Sequence, residues 1–261
     1  MKNQKFPKTV LITGTTSGIG YELSKLFAKN GDRLIMVSRN AEKLQKQQAE
    51  LLNNYDTLIH TIAKDLSQPN AVMEVFDELQ KRGLQVDILV NNSGFGIRGR
   101  FSDTDLEQEL QILQVNIIAL TQLTKLIIPG MIEKGFGKIL NLGSICSFTP
   151  CPLQAVYCAS KAYVLNFSNA IRFELAGTGV TVTTLCPGAT KTEFPKKTNM
   201  EETILFKKMV MEAKTVAKIA YRGLSKNKKT IVPGIINKLL VHLIPFTPAR
   251  ITEELTMKLV K

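Results

Sequence analysis

The chain has 261 residues, of which 44% are hydrophobic and 21% are charged, the composition of an ordinary soluble globular protein. It carries 34 basic and 22 acidic residues, and the net charge of +12 favours acidic partners such as phosphates, acidic carriers, nucleic acid or a membrane surface, unless it is only a solvated basic surface. No stretch approaches ~18 uninterrupted apolar residues, and the N-terminus lacks a secretory pattern, which together argue against a membrane span and predict a cytoplasmic protein.

Four cysteines and two histidines are the soft metal ligands of the sequence. The cysteines show no C-x-x-C spacing, so the pattern predicts no metal site. We interpret them as reduced, buried, small hydrophobic residues of a cytosolic protein. The residues concerned are Cys146, Cys151, Cys158, Cys186, His60 and His242.

Short β-type runs alternate with helix-length segments, beginning with "TVLITG" at 9–14. Further strands are predicted at 33–39, 57–66, 86–94, 137–144, 179–188 and 229–234. Helices are predicted at 19–30, 41–53, about 69–83, about 105–129, around 155–165 and about 201–226. Several strands are continuous apolar runs, as in a parallel sheet covered on both faces. The alternation predicts one α/β domain over 1–261, a single doubly wound, Rossmann-type parallel sheet flanked by helices.

The first predicted strand ends in the glycine-rich turn "TGTTSGIG", residues 13–20. Gly14 can take the tight turn, Gly18 lets the backbone approach a phosphate, and Gly20 lets the following helix pack close to the strand. The start of that helix offers free N–H groups and a positive dipole end to a pyrophosphate. Because the turn joins the first strand to the first helix, it predicts a nucleotide site.

The glycine spacing resembles the TGxxxGxG turn of the short-chain dehydrogenase/reductase family. The resemblance extends to "NNSG" (91–94), with Ser93 in place of the usual alanine, and to Asn116 in the long helix. It also covers Ser144 after the fifth strand, "YCASK" (157–161) as YxxxK, and "PGATKT" (187–192) as PGxxxT. These elements occur in family order over 13–192. The resemblance implies an NAD(P)-dependent oxidoreductase that interconverts a carbonyl and a secondary alcohol, commonly as a homodimer or homotetramer.

Tyr157 and Lys161 lie four residues apart and therefore on one face of a helix. A nearby ammonium lowers the pKa of a phenol towards neutrality, which suits an acid/base. The resemblance implies that Tyr157 is that acid/base and that Ser144 hydrogen-bonds the substrate oxygen. It further implies that Lys161 holds the nicotinamide ribose and that Asn116 holds a water for proton relay.

The second predicted strand ends in Ser38 and Arg39, without the carboxylate that typically binds the ribose 2′-hydroxyl of NAD. An arginine there would pair with a 2′-phosphate, which predicts NADP(H) over NAD(H), unless Arg39 is only a solvated charge. Asp65 resembles the family residue at the adenine, a role compatible with a turn at a helix N-terminus. Asn91 and Gly94 are expected to line the cofactor through their backbone. The full cofactor prediction comprises Gly14, Thr16, Ser17, Gly18, Ile19, Gly20, Ser38, Arg39, Asp65, Leu66, Asn92, Ser93, Gly94, Tyr157, Lys161, Pro187, Gly188, Thr190 and Thr192.

Apolar residues in the loops after the strands predict an apolar, small-molecule substrate. The predicted substrate contacts are Ser144, Phe148, Leu153, Tyr157 and Phe194, with Phe95, Ile145, Phe206 and Met209 as further apolar candidates. The segment at about 189–226 is expected to cover the substrate. A 3-oxoacyl thioester of acyl carrier protein or coenzyme A is the alternative substrate, and a non-catalytic nucleotide-binding regulator is the alternative class. No motif predicts specific nucleic-acid binding.

The tail at about 235–261 is apolar and amphipathic, with Pro245 and Pro248 inside it. Three placements remain open for it: over the substrate cleft, in a subunit interface, or on a membrane surface.

Overall fold

A computed structural model describes residues 7–198, 200–208 and 210–260 of the chain, so Met209 lies outside the described residues. Seven parallel strands form the central sheet in the order β3-β2-β1-β4-β5-β6-β9, and β7 pairs with β8 in a small second sheet. The strands are β1 (Thr9–Thr13), β2 (Arg33–Ser38), β3 (Ile59–Ala63), β4 (Ile88–Asn91), β5 (Gly137–Leu142), β6 (Val180–Leu185), β7 (Thr190–Lys191), β8 (Met211–Glu212) and β9 (Thr230–Ile231).

Helices cover both faces of the sheet, which confirms the predicted Rossmann-type fold. They are α1 (Gly18–Lys29), α2 (Ala41–Asn54), α3 (Ala71–Lys81), α4 (Leu106–Leu113), α5 (Leu120–Glu133), α6 (Ala155–Glu174), α7 (Phe194–Lys197), α8 (Ile204–Lys208), α9 (Ala213–Ser225), α10 (Ile235–Leu243) and α11 (Ala249–Val260). A π-helical segment, Gln114–Ala119, joins α4 to α5, and 3₁₀ turns occur at Ile145–Phe148 and Ile244–Phe246.

Each strand supplies side chains to two hydrophobic layers. Val10 and Ile12 of β1 pack on the side of α1 and α9, whereas Leu11 packs on the side of α3 and α5. All three side chains are fully buried. The continuous apolar runs in the sequence are therefore the signature of a sheet covered on both faces. Because strand order reverses between β1 and β4, a crevice opens at their carboxyl ends.

Two predicted helix boundaries are wrong. The helix expected over about 201–226 is α8 and α9, separated by the extended pair Met211–Glu212, whose backbone pairs with β7 instead of continuing a helix. The helix expected to end at Pro129 continues to Glu133. Pro129 has no N–H to donate, so the carbonyl one turn earlier in the helix loses its hydrogen-bond partner. Because Pro129 lies on the exposed side of α5, water can solvate that carbonyl and the helix continues.

The run Leu106–Glu133 is long and apolar enough by composition to cross a membrane. Its apolar side chains Leu123, Ile127 and Met131 belong to the core beneath the sheet, so the run packs as a core helix of this domain.

The C-terminal tail divides into two parts with different surroundings. The end of α11 is held against the domain by Arg98, whose Nε donates to the carbonyl of Val260 at 2.6 Å. In α10, by contrast, large apolar side chains project from the domain, with Ile235 85% and Leu239 57% exposed. Phe246, just beyond α10, is 80% exposed. The placement of α10 over the substrate cleft, in a subunit interface or on a membrane surface stays a prediction.

Candidate active site

A cleft of about 790 Å³ runs along the carboxyl ends of the parallel strands. All but three of the predicted catalytic and cofactor residues line it, which places them in one continuous site. The exceptions are Gly20, which packs against Gly14 and Asn92, Asn91, which directly precedes Asn92, and Asn116, which bonds to Phe95. The lining residues from the sequence predictions are Gly14, Thr16, Ser17, Gly18, Ile19, Ser38, Arg39, Asp65, Leu66, Asn92, Ser93, Gly94, Ser144, Tyr157, Lys161, Pro187, Gly188, Thr190, Thr192 and Phe194.

The glycine turn has the shape of a phosphate cradle. Gly14 (φ +69°) and Gly18 (φ +58°) adopt the left-handed conformation that favours glycine. Helix α1 begins at Gly18, and the side chain of its N-cap residue, Ser17, makes no capping hydrogen bond to the free N–H groups. Among the described residues, the buried hydroxyl of Thr15 has no hydrogen-bond partner. These donors fit a pyrophosphate, whose oxygens would accept from the helix N-terminus.

Gly20 explains how the turn keeps its shape. A Cβ at this position would lie 2.3 Å from the Gly14 carbonyl oxygen and 2.4 Å from Asn92 Nδ2. That Nδ2 donates to the carbonyls of Thr13 (2.9 Å) and Gly14 (2.8 Å) and so ties the turn to the end of β4. Gly20 therefore lets helix α1 sit directly against the turn.

We expect Gly20→Ala to weaken NADPH binding strongly and to destabilise the protein by about 1–3 kcal/mol, the usual cost of overpacking. Gly130→Ala is the matched control, because Gly130 is also helical but a Cβ added to it would meet no atom within 4 Å. Fluorescence titration with NADPH and thermal unfolding would check both variants. Equal NADPH affinity in the two would contradict the role given to Gly20.

The adenosine end of the cleft is more basic than the sequence motif suggests. Besides Ser38 and Arg39, the residues Lys43 and Lys64 line it. Lys43 Nζ lies 3.2 Å from Glu193, and Lys64 pairs with Glu74. Sequence reasoning missed both lysines, although Lys43 lies four residues after Arg39 and Lys64 directly precedes Asp65.

Asp65 lines the cleft and also organises a turn, and its predicted contact with the adenine stays a prediction. Its Oδ1 accepts from the backbone N–H (3.0 Å) and from the hydroxyl (2.9 Å) of Ser67. Asn91 differs from expectation: it is buried behind the cleft, where its Nδ2 donates to Thr124 and Asn141. The loop after β4 thus meets the cleft through Asn92, whereas Asn91 anchors it to the core.

Helix α6 places Tyr157 and Lys161 side by side. Lys161 is 3% exposed, and its Nζ donates to the Leu142 carbonyl at 2.8 Å. The same Nζ lies 5.7 Å from the centroid of the Tyr157 ring. A Cβ added to Gly94 would lie 3.1 Å from this Nζ, so the glycine leaves room for the ammonium at the cleft. The predicted pairing on one helical face is present.

Asn116 occupies the π-helical segment and is 1% exposed. Its Oδ1 accepts from the Phe95 N–H (3.2 Å), and its Nδ2 donates to the Phe95 carbonyl and the Ser160 hydroxyl (both 3.0 Å). The side-chain amide is thus engaged with the loop after β4 and with α6. The role that the structure gives to Asn116 is to position the loop next to Tyr157, and the predicted water relay stays a prediction.

The expected lowering of the Tyr157 pKa by Lys161 is wrong for this structure. Burial raises the pKa of Tyr157 well above its ordinary value, although the Ser144 hydroxyl opposes that rise. Burial likewise lowers the pKa of Lys161, to about 8. Desolvation is the largest cause of both pKa shifts, so the neutral phenol is favoured.

The substrate end of the cleft is aromatic. The Phe194 ring packs on Tyr157 (centroids 5.3 Å apart) and stacks on Phe206 at 6.5 Å. Gln154 Nε2 contacts Met200 Sδ at 3.1 Å, and both residues line the cleft. Gln154 and Met200 were missed from sequence because neither belongs to a recognisable motif.

Two predicted substrate residues lie away from this cleft. Phe148 ends the 3₁₀ turn after Ser144 and lines a second cavity beyond it, together with Pro150 and Cys158. Leu153 has a φ of +66°, and its carbonyl accepts from Gly99 at 2.9 Å, so it shapes the loop before α6. Both residues lie in the loop between β5 and α6, and the path of this loop places them outside the cleft where substrate contacts were predicted.

Residues 8–203 match the family model for short chain dehydrogenases, about three quarters of the chain. The chain belongs to the short-chain dehydrogenase/reductase family. It is 40% identical to sulfoacetaldehyde reductase 2 of Chromohalobacter salexigens, over 71% of this chain and 73% of that protein. It is 31% identical to the human very-long-chain 3-oxoacyl-CoA reductase, over 71% of this chain but only 60% of that protein.

Solved structures of short-chain dehydrogenases share the whole fold. The Sphingobium yanoikuyae enzyme in complex with NADPH superposes with a TM-score of 0.82 at 28% identity, covering 93% of this chain and 97% of that one. The bulky-bulky ketone specific alcohol dehydrogenase of Comamonas testosteroni gives 0.79 at 26% identity, covering 94% of each. As a short-chain dehydrogenase, the protein is an oxidoreductase that acts on carbonyls and alcohols with a nicotinamide nucleotide.

Proposed function

We propose that the protein reduces the carbonyl of an apolar substrate with NADPH and that Tyr157 donates the proton. One observation carries the proposal: a single cleft joins a basic end and a phosphate turn to a half-buried tyrosine that packs against the ring of Phe194. This arrangement matches the requirements of hydride transfer to a ketone, in which negative charge develops on the carbonyl oxygen.

The preference for NADPH rests on charge. Arg39, Lys43 and Lys64 line the same cleft as Ser38, which ends β2, where the adenosine ribose of a nucleotide would lie. A 2′-phosphate would gain charge-assisted hydrogen bonds from such groups, whereas a free 2′-hydroxyl would not. The related Sphingobium enzyme was solved with NADPH, which supports the proposal without establishing it for this chain.

Arg39→Asp is expected to lower kcat/KM with NADPH by roughly 10- to 100-fold, because a hydrogen bond to a charged group contributes about 1.5–3 kcal/mol. The value with NADH should be unchanged or higher. Arg33→Asp is the matched control, since Arg33 is an exposed arginine at the opposite end of the same strand, β2. Initial rates with both nucleotides would measure the ratio. An unchanged preference in Arg39→Asp would mean that another residue selects the cofactor.

When bound, the nicotinamide would supply a hydride to the carbonyl carbon. The side chains of the protein would donate a proton and hydrogen bonds to the carbonyl oxygen. Tyr157 retains its proton because burial raises its pKa, so it can donate to the developing alkoxide. The Ser144 hydroxyl is proposed to donate a hydrogen bond to the same oxygen. Lys161, fixed by the Leu142 carbonyl, is proposed to hold the nicotinamide ribose and stabilise the phenolate left on Tyr157.

The substrate class follows from the aromatic end of the cleft. Apart from Lys161, the described side chains near Tyr157 are aromatic, aliphatic, thioether, thiol, hydroxyl or amide groups, so an apolar body fits better than a sulfonate. A 3-oxoacyl thioester is the second candidate, because relatives include the ketoacyl reductase HetN of Nostoc as well as the human enzyme.

The test follows NADPH consumption with bulky ketones, 3-oxoacyl thioesters of increasing chain length, and sulfoacetaldehyde. If apolar contacts select the substrate, kcat/KM should rise by up to about fourfold for each added CH₂ that is buried, from ~0.8 kcal/mol per group. The thioester series compared with matched ketones separates the two candidates. A clear preference for sulfoacetaldehyde would contradict the proposed apolar substrate.

A further inference from the structure

Three of the four cysteines converge next to the catalytic cleft. The sulfur atoms of Cys146, Cys151 and Cys158 all lie within 4.8 Å of one another. Cys146 is partly exposed and lines the cleft, whereas Cys151 and Cys158 are buried and line the second cavity behind it. Their sequence spacing conceals this thiol cluster, because each cysteine comes from a different local structure.

The backbone fixes the positions of the three sulfurs. Cys146 lies in the 3₁₀ turn after Ser144, which is closed by a reciprocal capping box between Ser144 and Ser147. The Ser147 hydroxyl also donates to the Lys161 carbonyl at 2.7 Å and so ties this turn to α6, which carries Cys158. Cys151 lies between two prolines, Pro150 and Pro152, in the connecting loop. The thiol cluster is therefore held by local structure on each side.

We propose that Cys146, Cys151 and Cys158 form a three-thiolate site for a thiophilic d¹⁰ metal ion, Zn²⁺ or Cu⁺. Zn–S bonds of ~2.3 Å in tetrahedral geometry place sulfurs about 3.8 Å apart, so the thiols need to contract by no more than about 1 Å. Sulfur donors select these soft ions over Mg²⁺ or Ca²⁺. Binding releases the thiol protons to solvent, and water from the cleft can complete the coordination of Zn²⁺.

The thiol cluster borders an apolar cavity with one carboxylate at its edge. The second cavity is lined largely by apolar groups such as Phe148, Pro150 and Ala159, with the carboxylate of Glu253 at its α11 side. A disulfide would join only two of the three sulfurs, whereas a metal ion uses all of them. The site borders the substrate end of the cleft through Cys146. Its occupancy is measured without substrate or nucleotide, so its failure would leave the proposed function untouched.

The test is a titration of the fully reduced protein with Cd²⁺, which reports thiolate coordination by its ultraviolet charge-transfer absorption. We expect saturation at one Cd²⁺ per chain, displacement by Zn²⁺, and transfer of Cu⁺ to the protein from a colorimetric chelator. Cys146→Ser, Cys151→Ser and Cys158→Ser should each lower affinity by roughly 100-fold or more, since loss of an outer-shell contact alone costs 10- to 100-fold. Cys186→Ser is the matched control, because Cys186 is a buried free thiol outside the thiol cluster.

A second measurement uses the unmodified sequence and does not depend on the folding of any variant. One equivalent of Zn²⁺ should protect Cys146, Cys151 and Cys158 from alkylation, as mapped by peptide mass spectrometry, at a Zn²⁺ concentration that leaves Cys186 unaffected. Three results would each overturn the proposal. They are the absence of a one-to-one charge-transfer band, unchanged affinity in the three serine variants, and a disulfide within the thiol cluster of the protein as isolated.

Discussion

Tyr157→Phe is expected to lower NADPH-dependent turnover by about 10²- to 10⁴-fold, the range that a positioned general acid contributes. The variant keeps the ring that packs on Phe194 and removes only the proton donor. NADPH affinity should therefore fall by no more than about 2- to 13-fold, since the loss of one hydrogen bond changes binding by about 0.5–1.5 kcal/mol. Steady-state kinetics and a fluorescence titration with NADPH measure the two effects separately.

Tyr163→Phe is the matched control for that experiment. Tyr163 lies on the same helix, and its hydroxyl forms a 3.0 Å hydrogen bond with Thr121 on the outer side of the domain. Removal of this hydroxyl should leave turnover within about twofold, because hydrogen bonds between exposed groups contribute little. Retention of more than a tenth of the activity in Tyr157→Phe would remove this residue as the acid.

The central fold could be predicted because local patterns and global topology agree. Strand β1 and the turn at Gly14, Gly18 and Gly20 have the residues that a strand-to-helix phosphate turn requires. The strands are buried on both faces, and their continuous apolar runs identify them without alternation. The motif residues then fall on one edge of the sheet, because parallel strands direct their carboxyl ends the same way.

The features that the sequence missed arise where distant segments meet. Lys43 and Lys64 reach the cleft from two different elements, and no single stretch reveals them together. The path of the loop between β5 and α6 turns Phe148 towards the second cavity, an orientation that hydrophobicity does not encode. The pairing of β8 with β7 likewise overrides the helical propensity of 201–226.

Burial also reverses an electrostatic expectation. From sequence, the i,i+4 spacing of Tyr157 and Lys161 favours a phenol made acidic by an ammonium. In the folded protein both groups leave water, so each charged form is disfavoured by desolvation. The sequence shows that the two groups are neighbours on one helix, but their pKa values depend on how deeply the fold buries them.

Burial of the Lys161 ammonium should lower the free energy of unfolding, because the charged group loses its hydration in the folded protein. A pKa of about 8 in the folded state, against 10.5 ordinarily, corresponds to roughly 3 kcal/mol at neutral pH. We expect Lys161→Met to be nearly inactive yet about 1–2 kcal/mol more stable at pH 7, after allowance for the lost hydrogen bond to the Leu142 carbonyl. Urea unfolding without added nucleotide measures this difference.

The pH dependence gives the sharper test, because its sign is fixed. Because the pKa of Lys161 is lowered in the folded state, the unfolded chain binds more protons than the folded protein between pH 8 and 10. In this range the unfolding free energy of the original protein therefore rises relative to that of Lys161→Met, by up to ~1.4 kcal/mol per pH unit. Taking the difference between the two proteins cancels the titration of the common groups that do not interact with Lys161; the neighbouring cysteines Cys146, Cys158 and Cys186 interact with it. Lys218→Met, an exposed lysine on α9, should show no such change and serves as the control. A pH-independent difference for Lys161→Met would mean that Lys161 is not a desolvated ammonium, and the stability cost assigned to the Tyr157–Lys161 pair would then be wrong.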